Sequence, residues 1–142
     1  MIKILFICHG NICRSPMAEF VLKDMVKKAG KSGEFQIDSA AASREEIGNP
    51  IYPPAQRELT KHGILGASHR ARQITFADLK YYDRIYYMDS RNRAYLHRLF
   101  PEHTGFLPFL PRDVADPWYS GDFTQTWADI EEGCRKILEE FL

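Results

Sequence analysis

The chain has 142 residues, 44% hydrophobic and 27% charged, the size and balance of one globular domain with a single substantial core. Lysine plus arginine equals aspartate plus glutamate at 19 each, so no global charge favours nucleic acid or an anionic membrane as partner. The apolar runs are too short to span a bilayer and no signal-peptide pattern is visible, so with Cys8, Cys13 and Cys134 as its cysteines the chain is expected in a reducing compartment, the cytoplasm.

Strand and helix signals alternate from the start. Lys3–Cys8 is a continuous apolar run, the pattern of a parallel strand buried on both faces. It runs into Cys8-His9-Gly10-Asn11-Ile12-Cys13-Arg14-Ser15-Pro16, where Gly10-Asn11 suits positive φ and Pro16 opens a helix whose first amides need no partner. That helix is expected over Pro16–Ala29, its apolar face supplied by Met17, Phe20, Val21, Leu22, Met25 and Val26, with Gly30 as its stop. Phe35–Ala40 reads as a second strand and residues 42–53 as a polar loop long enough to be functional. Helices follow at Pro54–His62, ended by Gly63, and at Thr75–Lys80, where Thr75 caps and Asp78 lies three residues on. Arg84–Met88 is a third strand, Asp89 caps a helix to about Phe100, and Gly105–Leu110 holds a short fourth strand. A loop carrying Asp116-Pro117 leads to a last helix, about Thr124–Phe141. Four strands interleaved with helices make a doubly wound parallel α/β sheet in one domain, with active loops at the strand C-termini. Cys8 sits at such an end.

The chemistry gathers around that cysteine. Loop amides at a helix N-terminus make an anion nest, and the helix dipole adds partial positive charge. A thiol in that field is drawn toward thiolate, its nucleophilic form. Arg14 adds a planar fork that matches two phosphate oxygens. A buried structural thiol would need none of these companions. The Cys-x4-Cys spacing of Cys8 and Cys13 is also not the Cys-x-x-Cys of a thioredoxin-like site. His62, His97 and His103 lack metal-ligand spacing, so neither metal nor cofactor is assigned.

Cys8-x5-Arg14-Ser15, with Asp116-Pro117-Trp118-Tyr119 far downstream, resembles the low-molecular-weight protein tyrosine phosphatase family over essentially the whole chain. Asp38-Ser39-Ala40-Ala41 and His69-x-Ala71-Arg72-Gln73-Ile74 support the likeness in the same order. The resemblance implies a flavodoxin-like sheet of order 2-1-3-4, helices on both faces, and metal-independent hydrolysis of phosphotyrosine through a phosphocysteine on Cys8. Backbone amides of His9, Gly10, Asn11, Ile12, Cys13 and Arg14 would cradle the phosphate, and Arg14 would follow it into the transition state. Asp116 would protonate the leaving phenolate and then activate water. Ser15 would hydrogen-bond the Cys8 sulfur, cap the helix, or both. Asn11 would take a left-handed conformation and tie the loop through its amide, with Ser39 and His69 as supports. Cys13 would capture an oxidised Cys8 as a reversible disulfide, while Cys134 belongs to the core. Trp118 and Tyr119 would wall the cleft against a flat aryl ring.

The substrates so implied are phosphotyrosine-bearing proteins or peptides, with phosphate and vanadate as inhibitors and a monomer, or at most a weak dimer, as the state. The segment Ser43-Arg44-Glu45-Glu46-Ile47 departs from the family pattern, which often carries an aromatic residue there; here none comes before Tyr52. Arg44 and the paired carboxylates would favour basic, or exclude acidic, flanking residues. Two enzymatic alternatives stay open: a phosphoarginine phosphatase, whose relatives place threonine where this chain has Ile12, and a thiol-dependent arsenate reductase, which needs relay cysteines. A non-enzymatic phosphate-binding module would require neither Cys8 nor Asp116.

Overall fold

The computed structural model describes residues 1–142. Four parallel strands, β1 (Ile2–Cys8), β2 (Phe35–Ala41), β3 (Arg84–Tyr87) and β4 (Phe106–Pro108), form one sheet in the order β2-β1-β3-β4. The helices are α1 (Arg14–Lys28), α2 (Pro53–Lys61), α3 (Phe76–Tyr81), α4 (Ser90–Leu99), the one-turn α5 (Pro117–Ser120) and α6 (Phe123–Glu139).

β1 is central, paired to β2 on one side and β3 on the other, and its alternation sorts its side chains between two cores. Ile4, Phe6 and Cys8 face a layer built from Met17, Val21 and Leu22 of α1, Leu59 of α2, and Ile130 and Ile137 of α6. Leu5 and Ile7 face the opposite layer with Ile85, Leu96 and Phe100. Each such fully buried aliphatic or aromatic side chain stabilises the fold by about 1.5–3 kcal/mol relative to exposure. Phe109 packs edge-on to Phe6, with ring centroids 5.6 Å apart. It also lies so close over α6 that a Cβ at Gly133 would fall 2.2 Å from its ring, so only glycine lets that helix reach the sheet.

The expected elements are present, with shifted ends. α1 starts at Arg14, two residues before Pro16, because its first intrahelical bond runs from the Met17 amide to the Cys13 carbonyl. Pro16 still sits in the first turn, where a missing N–H leaves nothing unsatisfied. Ser15 is therefore inside the helix and not its cap; the cap position is Cys13, which makes no side-chain cap bond. Thr75 and Asp78 form the full reciprocal capping box of α3, and Asp89 caps α4. A one-turn 3₁₀ helix at Ser32–Glu34 and the short α5 carried no periodic signal, since one turn is too brief to show a period.

Candidate active site

The loop between β1 and α1 turns its carbonyls outward. The Cys8 and His9 carbonyls accept the Ala42 and Ser43 amides, and the Ile12 carbonyl accepts the Tyr52 amide, all within 3.0 Å. The Asn11 carbonyl lies 2.9 Å from His69 Nε2, which must carry the proton because a carbonyl only accepts. With the carbonyls anchored outside, the amides turn in. Those of Asn11 and Ser15 point at Cys8 Sγ at 3.3 and 3.4 Å. Those of Gly10, Ile12, Cys13 and Arg14 have no acceptor within the protein. This is the backbone arrangement of an anion nest.

One residue makes the turn possible. Asn11 has φ 62°, the sole non-glycine residue in the left-handed region, and is fully buried. Gly10 does not share the positive φ expected of it. Its missing side chain serves close approach instead, since a Cβ there would lie 3.1 Å from Cγ of Glu46.

The Asn11 amide orders the hydroxyls beneath the loop. Its Oδ1 accepts the Arg72 amide at 3.2 Å, so its NH₂ faces inward and donates to Ser15 Oγ at 2.8 Å and Ser39 Oγ at 3.0 Å. Each hydroxyl, having accepted, directs its own proton onward. Ser39 donates to Glu19 at 2.6 Å, and Ser15 Oγ lies 3.0 Å from Cys8 Sγ, to which it donates when the sulfur is a thiolate. Three donors thus converge on one sulfur, an arrangement that stabilises negative charge on it. Glu19 is held in turn by Lys23 at 2.6 Å and lies 3.9 Å from His69 Nδ1.

Arg14, 2% exposed, is fixed from behind. Nη1 donates to Asp89 at 2.6 Å and to the Val114 carbonyl at 2.8 Å, and Nη2 donates to Asp116 at 3.3 Å. That leaves Nε–H and one Nη2–H without a protein acceptor, donors with which a guanidinium can grip an oxyanion. Burial works against its charge, but Cys8, Asp116 and Asp89 outweigh burial and raise its basicity further. Asp89 was legible only as a helix cap. It is both, since Oδ1 accepts the Asn92 amide of α4 while Oδ2 holds Arg14. Neither Asp89 nor Glu19 was found as a site residue from sequence. Their signals were slight: a cap at the C-terminal end of a parallel strand, and an acid four residues after Ser15 on an otherwise apolar helix face.

Asp116 caps α5 by accepting the Trp118 amide at 3.1 Å. Its loop is tied to the sheet through the Val114 amide, bonded to the Met88 carbonyl at 2.9 Å, and to α4 through Asp113, which accepts from Ser90. A cleft of about 150 Å³ opens over Cys8, and Arg14, Asp116, Ile12, Trp118 and Tyr119 line it with Glu45 and Glu46. Trp118 is braced from behind by Tyr52, ring centroids 4.7 Å apart, so the nearest downstream aromatic supports the wall instead of replacing the missing one. The ring of His9 points outward to Glu45, 2.9 Å away, and edge-on to Tyr95. Burial, then the neighbouring Cys8 and Asp116, push the Cys13 thiol up, so it stays protonated. Cys134 is fully buried against α1, as expected.

Among known proteins, the family model for low molecular weight phosphotyrosine protein phosphatase matches residues 3–142. The low molecular weight protein-tyrosine-phosphatase YfkJ of Bacillus subtilis is 37% identical over 147 residues, covering 97% of this chain and 94% of that protein. Of solved structures, SP-PTP, a low molecular weight protein tyrosine phosphatase from Streptococcus pyogenes, superposes with TM-score 0.92 at 37% identity, covering 100% of this chain and 94% of that one. DARP, a Drosophila arginine phosphatase, superposes with TM-score 0.88 at 29% identity, covering 99% and 98%. The chain belongs to the low molecular weight phosphotyrosine protein phosphatase family.

Proposed function

We propose that the protein hydrolyses phosphotyrosine in proteins or peptides through a phosphocysteine on Cys8, with neither metal nor cofactor. The observation that carries this reading is the focus of the Asn11 amide, Ser15 amide and Ser15 hydroxyl on Cys8 Sγ, in a cleft shared with Arg14 and Asp116. In the first step the sulfur attacks phosphorus, the P–O bond to the ring breaks, and Asp116 gives its proton to the leaving phenolate. The loop amides and the free donors of Arg14 carry the charge on the equatorial oxygens. In the second step Asp116, now a carboxylate, takes a proton from water as it attacks phosphorus. The S–P bond then breaks, with the Ser15 hydroxyl stabilising the departing sulfur. Trp118 and Tyr119 hold the substrate ring, and Asn11, Ser39 and His69 keep the loop in shape.

Cys13, protonated beside Cys8, does not compete for the phosphoryl group; after peroxide converts Cys8 to a sulfenic acid, its thiol condenses with that group to a disulfide and releases water. Three buried, unpaired cysteines suit a reducing compartment, and we place the protein in the cytoplasm, acting as a monomer. Phosphoarginine hydrolysis is a second reading, favoured by the likeness to the Drosophila arginine phosphatase. Ile12, apolar and lining the cleft, favours the aryl ester. The burial of Cys134 argues against the disulfide relay an arsenate reductase needs.

Turnover of an aryl phosphate in excess chelator tests the proposal. Full activity is expected there, along with inhibition by phosphate and vanadate, loss of turnover in Cys8→Ser, and a fall of roughly 10²–10⁴-fold in Asp116→Asn. Wild-type rates in Cys8→Ser would contradict it. Faster release of phosphate from phosphoarginine than from phosphotyrosine peptides would favour the second reading.

A further inference from the structure

A second depression, of about 430 Å³, opens beside the catalytic cleft and shares His9, Arg14, Asp116 and Tyr119 with it. Its far wall is one stripe of α4. Arg91, Ala94, Tyr95 and Arg98 follow one another at the i, i+3, i+4 and i+7 spacing that places side chains on a single helix face. The Arg98 guanidinium lies over the Tyr95 ring at 5.3 Å.

The charges along this wall are unbalanced. The acids that border the depression, Asp89 and Asp116, are both engaged by Arg14. Neither Arg91 nor Arg98 has a carboxylate within 4.0 Å, and the imidazole of His9, edge-on to Tyr95, is 2.9 Å from Glu45. Across the catalytic opening the polarity reverses, because Glu45 and Glu46 form that rim. A peptide with its phosphorylated residue at Cys8 and its chain running from α4 toward Glu45 and Glu46 lays its flanking residues over these two rims.

We infer that Arg91 and Arg98 form a subsite for a carboxylate side chain of the substrate, flanking the phosphorylated residue on the α4 side. This makes the cleft polar end to end, with acidic flanking residues preferred over α4 and basic ones over the Glu45–Glu46 rim. The inference rests on the phosphotyrosine reading and concerns how that same site selects among peptides.

The experiment compares kcat/KM for phosphotyrosine peptides that differ only in one flanking residue, Glu or Gln, scanned through the positions on both sides. The wild-type protein should favour Glu over Gln by about three-fold at positions on one side of the phosphotyrosine, the scale of an exposed ion pair. That ratio should shrink as salt is raised. In Arg91→Gln/Arg98→Gln the ratio should fall to about one. In Arg93→Gln, which removes the same charge from α4 away from the depression, it should persist, which separates a local subsite from general attraction. A wild-type ratio of one at every position, or a ratio unchanged in the double variant, overturns the subsite while leaving phosphotyrosine hydrolysis intact. If no phosphotyrosine peptide turns over at all, the reading beneath it fails instead.

Discussion

Asn11 shows how much of a catalytic loop can depend on a side chain that touches no substrate. Its backbone takes the left-handed turn, its carbonyl holds His69, and its amide bridges Arg72 to the two serines that orient Cys8 and Glu19. Alanine at φ 62° would bring strain of about 1–2 kcal/mol and leave the half-buried Arg72 amide without its acceptor, at about 1–2 kcal/mol. Asn11→Ala is therefore expected to lose about 2–4 kcal/mol in urea unfolding and to lower kcat more than it raises KM; a loss under about 1 kcal/mol would contradict the account. Residues of this kind were readable because their types are unusual where they stand: asparagine after glycine in a tight loop, serine at a helix start. Asp89 and Glu19 were not, because a capping aspartate and an acid within a helix have ordinary explanations until the fold brings Arg14 and Ser39 against them.

At the scale of elements, apolar runs, helical spacing and cap or stop residues located every strand and each long helix, and the ends moved by a residue or two where hydrogen bonds decided them. α1 is the instructive case. Proline marked its first turn correctly, yet the helix begins earlier because the loop delivers the Cys13 carbonyl to the Met17 amide. α3 makes a further prediction. Burial works to raise the Asp78 carboxyl, but hydrogen bonds from Arg72 and from the Thr75 amide outweigh it and hold the group below its ordinary 3.8. The folded state thus binds fewer protons than the unfolded chain as pH falls through that value. Its stabilising contribution is present above about pH 4 and lost progressively below it. Asp78→Asn should flatten the acid limb of a stability-versus-pH profile, measured from about pH 6 down to pH 2 by urea unfolding. An unchanged slope would show that Asp78 titrates alike in both states.

The molecule as a whole turns a parallel sheet into a device for holding an anion. β1 and β3 end side by side, so the loop after β1 supplies amides and sulfur while the cap after β3 supplies the carboxylate that fixes Arg14. The Asp116 loop, arriving from β4, closes the third side. The motif that carries Cys8 was legible in the chain, and the strand order followed from the family resemblance that motif carries. The Glu45–Glu46 pair was legible as a determinant of flanking preference, but the arginine stripe of α4 was not, since Arg91 and Arg98 come beside the Cys8 cleft only after folding. The proposed function turns on one covalent event, transfer of a phosphoryl group to sulfur. Asp116→Asn should slow release from sulfur more than attack when the leaving group is as weakly basic as p-nitrophenolate, so the intermediate should accumulate. Rapid acid quench of that variant with p-nitrophenyl phosphate, followed by peptide mass analysis, is predicted to find phosphate on the peptide holding Cys8. Continued turnover with that peptide unmodified at every quench time would contradict the mechanism.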